Sequence, residues 1–269
     1  MDKAQLQIAK KWYEKFFPNK DANSFIEKAN KYDSVDGEIS VNELSEKKDA
    51  FLNLVVFMLK CEKAYIEYQK KGISDDIFYD TLKDIAVWEE NYESASKEEG
   101  LAEIFWLNNH VSLNLFKIGR LQYQFETVWI DSPKHNLKKG DNVLNLHITQ
   151  GESLDYETCK KSYDQANKFF GENYPEFDYS YFACHTWFFD PEIKNFVSPT
   201  SNILRFASDF EIISYEEKNS AIRYVFGEKA VNLPVDSYPE ETSIQKRMKA
   251  FLLGGGVLKV GYGFRKKDL

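Results

Sequence analysis

Cysteine is scarce in this chain, with three in 269 residues. Cys61, Cys159 and Cys184 form no CxxC pair and no metal-type spacing, and the count is odd. Both a disulfide scaffold and a zinc site are thereby excluded as readings, and no metal is expected. Reduced thiols fit a cytoplasmic protein. Dense Lys/Arg blocks are also lacking: the net charge is -8, and Arg265-Lys266-Lys267 reads as a short solvated end. Nucleic acid is therefore not an expected partner. No apolar run is long enough to cross a bilayer, and Met1 to Gln5 opens without the apolar stretch of a signal peptide. Internal repeats and low-complexity segments are missing. What is abundant is aromatic side chains, at 16% of the sequence, which argues against disorder and for a packed core.

Strand-like alternation is missing from residues 1 to 117. This region reads as helical by period. Ile8, Trp12 and Phe16 share a first helical face. Leu54, Phe57, Cys61, Tyr65 and Tyr68 form a second stripe. Ser96 with Glu99 has the form of a capping box before a helix carrying Leu101, Phe105, Asn108, Ser112 and Leu115. Tyr32 to Glu43 resembles an EF-hand loop, with Gly37 at the turn, Ile39 at the hydrophobic position and Glu43 at the twelfth. Its first position is Tyr32 and its third Ser34, so two carboxylates are missing. A polar turn with Ser40 and Glu43 as a capping box explains the same residues.

The period changes after Gly119. Leu121, Tyr123, Phe125 and Thr127 alternate with Gln122, Gln124 and Glu126, as in a half-buried strand. Asp131 to Asp141 reads as a polar turn. Val143 to Ile148 is a strand, and Tyr156, Cys159, Tyr163, Ala166 and Phe170 mark an amphipathic helix. Tyr181 to Phe189 reads as a buried strand and Ser201 to Ser208 as a short helix. Phe210–Tyr215 and Ala221–Phe226 read as a hairpin. Thr242 and Gln245 cap a last helix, and Val257 to Phe264 is the final strand. The expected class is α+β: a helical domain over residues 1–117, then a mixed-sheet α/β domain over 118–269.

The strand-to-helix loop Thr149-Gln150-Gly151-Glu152-Ser153 offers backbone N–H groups to an anion such as a phosphate. Arg120 and Arg205 sit in apolar blocks and call for a carboxylate or phosphate partner. An internal ion pair, for Arg205 with Asp190 or Asp209, is the plainer reading. Ser201 and Asn202, after Pro199, look like a helix N-cap.

Four blocks carry a resemblance: HVSLNLFKIGRLQYQ (His110 to Gln124), LNLHITQG (Leu144 to Gly151), ACHTWFFDP (Ala183 to Pro191) and SNILRF (Ser201 to Phe206), with the Leu252-to-Gly256 tail. With the order of elements, they resemble the bacterial two-domain "acyltransferase domain-containing" proteins, which join a helical N-terminal domain to a GNAT-like C-terminal domain. The resemblance implies an acyl-CoA-dependent N-acyltransferase. Acetyl-CoA or a longer acyl-CoA is the donor, and a small-molecule amine attacks it directly in a ternary complex. It further implies that Thr149 to Ser153 cradle the pyrophosphate, and that Ser201 and Asn202 flank the pantetheine arm. In this fold the phosphate loop usually reads Gln/Arg-x-x-Gly-x-Gly/Ala. Here Gly151 is its one glycine, and Glu152 adds a negative charge.

Acyl transfer to an amine needs a base. His185, His147 and Glu126 are the candidates. Each competes with a structural role: a hydrogen-bonded strand histidine for the first two, a solvent-facing strand residue for the third. Cys184 beside His185 is not a nucleophile–base pair, because strand neighbours point to opposite faces. The alternative function is a non-catalytic GNAT-like binding or regulatory module that has lost the CoA site, its cleft plugged by an aromatic such as Trp129 or Trp187. The acidic balance favours a cationic acceptor by steering.

Overall fold

The computed structural model describes residues 1–33 and 35–269. The chain divides into two compact units, Met1–Lys117 and Ile118–Leu269.

Among its described residues, the first unit contains helices α1 (Lys3–Phe16), α2 (Ala22–Ala29), α3 (Val41–Lys47), α4 (Ala50–Lys71), α5 (Asp75–Leu82), α6 (Asp84–Ser96) and α7 (Ile104–Val111). Side-chain caps start several of them. The Asp2–Gln5 pair forms a capping box on α1, Ser40–Glu43 forms the expected one on α3, and Asp49 accepts from the Leu52 N–H at the start of α4. Helix α4 ends at Gly72, whose φ of 69° suits glycine. Its residues Leu54 to Met58 are all fully buried, so α4 is buried all round there and forms the unit's centre.

The buried face of α1 is Ala9, Trp12 and Tyr13, one step round from the expected stripe, with Ile8 and Phe16 at its margin. Ser96 does not open a helix. Its hydroxyl donates to Tyr92 O at 2.8 Å and accepts from Glu98 N at 3.0 Å, which closes α6. Leu115, expected on that helix, is in a strand. One set of polar groups in this unit pairs internally. The Asp84 carboxylate accepts from Trp106 Nε1 at 2.9 Å and lies 3.0 Å from His110 Nε2.

In the EF-hand-like loop, Ser34 lies outside the described residues. Asp36 accepts from Glu38 N at 2.8 Å, and the Glu43 carboxylate is taken up by the N–H and hydroxyl of Ser40. These carboxylates close a local turn. Among the described residues no group of three or more His, Cys, Asp or Glu is placed to hold a metal ion, and no helix is long and apolar enough to cross a membrane.

The second unit carries a mixed six-stranded sheet, whose first strand spans the boundary between the units. Strand β1 (Leu115–Ile118) leads through a turn at Gly119 into β2 (Leu121–Thr127). Then follow β3 (Asn142–Ile148), α8 (Tyr156–Asn173), β4 (Tyr181–Thr186), α9 (Ile193–Phe196), α10 (Asn202–Ala207), β5 (Glu211–Glu217), α11 (Ser220–Phe226), α12 (Ser243–Leu253) and β6 (Lys259–Lys266). The sheet order is β1-β2-β3-β4-β6-β5. β3 and β4 are parallel; β2 with β3, β4 with β6, and β5 with β6 are antiparallel.

Two departures from the sequence reading concern this unit. The β4 strand stops at Thr186, and Trp187–Phe189 turn as a 3₁₀ helix, because the Thr186 hydroxyl accepts from Phe188 N at 3.2 Å and caps the turn. Ala221–Phe226 is not the return strand of a hairpin but part of α11, and β5 pairs with β6 instead. Ala221, Ile222 and Phe226 are buried at helical spacing. They pack with Ile193, Phe196, Met248 and Leu258 into a core separate from the sheet.

Register fixes what each face of the sheet carries. Leu121, Tyr123, Phe125, Leu144, Leu146, Phe182 and Cys184 share one face. There Tyr123 and Phe125 meet Phe170 of α8 edge-on at 6.1 and 5.3 Å, and Phe182 meets Tyr163 at 5.7 Å. The opposite face carries Gln122, Gln124 and Glu126 of β2, Asn145 and His147 of β3, His185 of β4 and Tyr262 of β6. The segment 129–141, expected only as a polar turn, folds back over this face. His135 lies edge-on to Tyr181 and Phe264 at 5.3 and 5.4 Å.

Candidate active site

Pairing between β3 and β4 runs through Leu144↔Phe182, Asn145↔Ala183 and Leu146↔Cys184, and then stops. Both strands continue for two more residues. The first residue past the split is His147 on one strand and His185 on the other. Asn145 and Ala183 are register partners, and each histidine lies two residues on, so both imidazoles occupy the polar face. The split opens at the carboxyl ends of two parallel strands, where open α/β sheets place their ligands.

The His185 imidazole is the better equipped. Its Nε2 lies 3.0 Å from Glu216 Oε1 on β5, a partner that stabilises an imidazolium formed by proton uptake. With Nε2–H donating to that carboxylate, the ring's lone pair is on Nδ1. Burial pushes the His185 pKa below its ordinary value, against the pull of Glu216. The ring is therefore neutral, and able to accept a proton, at neutral pH. Lys218, 3.2 Å from Glu216, helps to hold that carboxylate ionised.

His147 lies 2.8 Å from Gln124 Oε1 through Nε2, so Nε2–H donates and the ring is oriented by a neutral amide. Glu126 opposes Val143, four residues before His147. That places it about 13 Å along the strand from the split. Burial raises its carboxyl pKa, while hydrogen bonds from Trp129 and Asn145 oppose the rise.

Trp129 draws these groups into one network. Its Nε1 donates to Glu126 Oε1 at 3.1 Å, its ring stacks on Tyr262 at 4.6 Å and 9°, and its edge meets His185 at 5.1 Å. Trp187 packs with the helical core around Phe196. Cys184 is buried on the opposite face from His185, and burial drives its thiol pKa up, so it is no nucleophile.

The loop from Thr149 to Ser153 follows β3 at the split. Helix α8 begins at Tyr156, and its N-terminus is occupied: Asp155 accepts from Thr158 N at 2.9 Å. Glu157 adds a second carboxylate to the first turn. Any anion site here is therefore made by the loop amides rather than by the helix end. Gly151 has φ 81°, a conformation glycine adopts without strain. Arg120 binds this loop from behind.

Ser201 caps α10, its hydroxyl accepting from Ile203 N at 3.2 Å, and Asn202 is the helix's first residue. Arg205 pairs with neither Asp190 nor Asp209. It lies over the Tyr156 ring at 4.3 Å and 3.3 Å from Glu157, which ties α10 to the first turn of α8. Asp209 instead accepts from the Tyr156 hydroxyl at 2.7 Å. The elements bearing the two proposed cofactor segments thus meet at the start of α8. Glu216 was missed as a site residue, and Trp129 was foreseen only as a possible plug of the cleft. Each reaches His185 only through strand pairing or a folded-back loop, and no local motif marks either one.

Residues 115–265 match the family of the GNAT-like C-terminal domain, and residues 2–113 match the N-acyltransferase N-terminal domain. The chain belongs to this two-domain acyltransferase family. No curated protein matches it in sequence. Among solved structures, an acyltransferase in complex with decanoyl-CoA and teicoplanin shares the fold, with a TM-score of 0.71 and 22% identity over 80% of this chain. An acyltransferase in complex with CoA and 10C-teicoplanin is similar at 0.71 and 21%, and a mutant acyltransferase in complex with octanoyl-CoA at 0.71 and 22%, each again over 80% of this chain. The chain spans 66% of the length of each of these three proteins.

Proposed function

We propose that this member of the family transfers an acyl group from acyl-CoA to a small-molecule amine by direct attack in a ternary complex. The observation that carries the reading is the split between β3 and β4, with His147 and His185 as the first residues beyond it on one face. A pantetheine arm laid into the split would run along strand edges, which supply main-chain partners. The loop Thr149–Ser153 would take the pyrophosphate, and Ser201 and Asn202 would flank the arm.

In the reaction the amine nitrogen bonds to the thioester carbonyl carbon and the carbon–sulfur bond breaks. His185 takes the proton lost by the amine, and the thiolate leaves with CoA. Glu216 stabilises the imidazolium that results. His147 stands across the split as an orienting group. Glu126, at the far end of the same face, presents a carboxylate to the cationic acceptor. Decanoyl- and octanoyl-CoA, bound by the fold neighbours, are the first donors to test.

Calorimetric titration with acetyl-, octanoyl- and decanoyl-CoA tests the reading without an identified acceptor. Saturable micromolar binding is expected, and it should be lost in Gly151→Glu. No binding at millimolar ligand would overturn the assignment in favour of a module without a cofactor site.

A further inference from the structure

Arg120 is the second residue of the β1–β2 turn, and its side chain is turned into the protein, with 7% of the residue exposed. All its hydrogen bonds go to one short loop. Nε donates to Ser153 O at 2.8 Å and Nη1 to Thr149 Oγ1 at 2.9 Å. Nη2 donates to Glu152 O at 2.9 Å and to Thr149 O at 3.3 Å. Four of the five guanidinium donors are thereby used, and every acceptor is a loop oxygen other than a carboxylate.

This contact pattern has a geometric consequence. Peptide groups are planar, and no peptide bond among the described residues is cis, so each C=O and the N–H of the same peptide point in opposite directions. Drawing the carbonyls of Thr149, Glu152 and Ser153 onto Arg120 turns the N–H groups of Gln150, Ser153 and Leu154 away from it. Ser153 and Leu154 are consecutive, and Gly151, two residues before Ser153, is left-handed, with φ 81°. Successive N–H groups presented on one side of a left-handed turn form an anion-binding concavity. A guanidinium stays ionised when buried, so a fixed positive charge stands behind that concavity. The exposed Glu152 carboxylate acts on Arg120 only through space.

We propose that Arg120 is the positioning residue of the pyrophosphate subsite. It shapes the Thr149–Ser153 loop so that backbone amides face the diphosphate of an acyl-CoA, in place of the additional glycines that usually give such a loop its form. The proposal rests on the acyl-CoA reading and deepens it. Its specific consequence is that Arg120 serves the nucleotide half of the donor and not the acyl or pantetheine half.

The test measures octanoyl-CoA and S-octanoyl-pantetheine binding by calorimetry in the wild type, Arg120→Lys and Thr149→Val. Lysine keeps the charge but replaces the fork with a single point donor. Thr149→Val removes one of the four contacts and leaves the backbone intact. In Arg120→Lys, octanoyl-CoA should bind roughly 10- to 100-fold more weakly, the size typical of losing a group that orients a ligand's direct contacts, while S-octanoyl-pantetheine binds as in the wild type. Thr149→Val should show the same selective loss at smaller size. Both ligands weakening in parallel in both variants would mean that Arg120 only holds the fold, and overturns the proposal. So would an unchanged preference for CoA in folded variants. Should Arg120→Lys not fold, Thr149→Val alone decides by the same criterion. A wild type that binds octanoyl-CoA no better than the pantetheine thioester overturns the subsite itself. One that binds neither overturns the acyltransferase reading along with it.

Discussion

Asp190→Ala removes two backbone hydrogen bonds at the point where the chain leaves β4. Asp190 is 4% exposed. Its Oδ1 accepts from Glu192 N at 2.8 Å, and its Oδ2 accepts from Lys259 N, the first residue of β6, at 2.7 Å. The carboxylate thus joins the end of one strand to the start of its neighbour 69 residues later. Hydrogen bonds to a charged group contribute about 1.5–3 kcal/mol each, so losing both costs about 3–6 kcal/mol. For a unit of this size that lowers the melting temperature by roughly 6–24 °C, at about 2–4 °C per kcal/mol. Asp190→Asn keeps one oxygen and turns an NH₂ toward the other N–H, so it should fall between wild type and alanine. The assay is thermal and urea unfolding, with hydrogen exchange at the Lys259 amide as the local probe. An alanine variant within about 1 kcal/mol of wild type, with an unchanged urea slope and a still-protected Lys259 amide, would refute the reasoning.

Ser162→Ala should cost about 1–3 kcal/mol, because the fully buried hydroxyl bonds Leu121 N at 3.2 Å, Tyr123 Oη at 2.9 Å and the Ile118 carbonyl; urea unfolding reads this directly. Gly119→Ala should destabilise by more than about 1 kcal/mol, since φ is +62° and the added Cβ would lie 2.4 Å from Gln165 Oε1; an unchanged melting temperature would contradict it. His185→Gln should lower kcat by about 10²- to 10⁴-fold, with octanoyl-CoA affinity retained. Because burial depresses the folded-state pKa of His185, its stabilising contribution is complete above about pH 6.5, the ordinary value, and is lost as pH falls through the folded value. The acid limb of kcat/KM should therefore lie below about 6.5. Glu216→Gln, by removing the carboxylate that holds that pKa up, should move the limb lower still. An acid limb above the ordinary histidine value would remove His185 as the base.

Much of the fold was legible because its signals are local. Ser40, Ser201 and Thr242 each cap a helix as their spacing indicated. The alternation from Leu121 to Thr127 is a strand, and the stripe from Tyr156 to Phe170 is the face of α8. One error fell where a distant partner decides, and another where a short cap interrupts an apolar run. Ala221–Phe226 has the composition of either a strand or a helix, and β6 pairing with β5 leaves it no strand to join. The Tyr181–Phe189 run is apolar throughout, and only the Thr186 cap ends the strand within it.

By itself, the sequence determined which elements the candidate site residues sit on. His147, His185 and the Thr149–Ser153 loop were visible as strand-end residues and a strand-to-helix turn, because strand period and turn composition are written in neighbouring residues. Only the tertiary structure decided that both histidines flank a split between parallel strands and that Glu216 backs one of them. It alone showed that Arg120 donates to the carbonyls of the Thr149–Ser153 loop. Those facts depend on register between strands far apart in the chain, and on side chains reaching backbone 29 to 33 residues away. Pairing across such distances is set by how the whole sheet closes, and no local pattern encodes it.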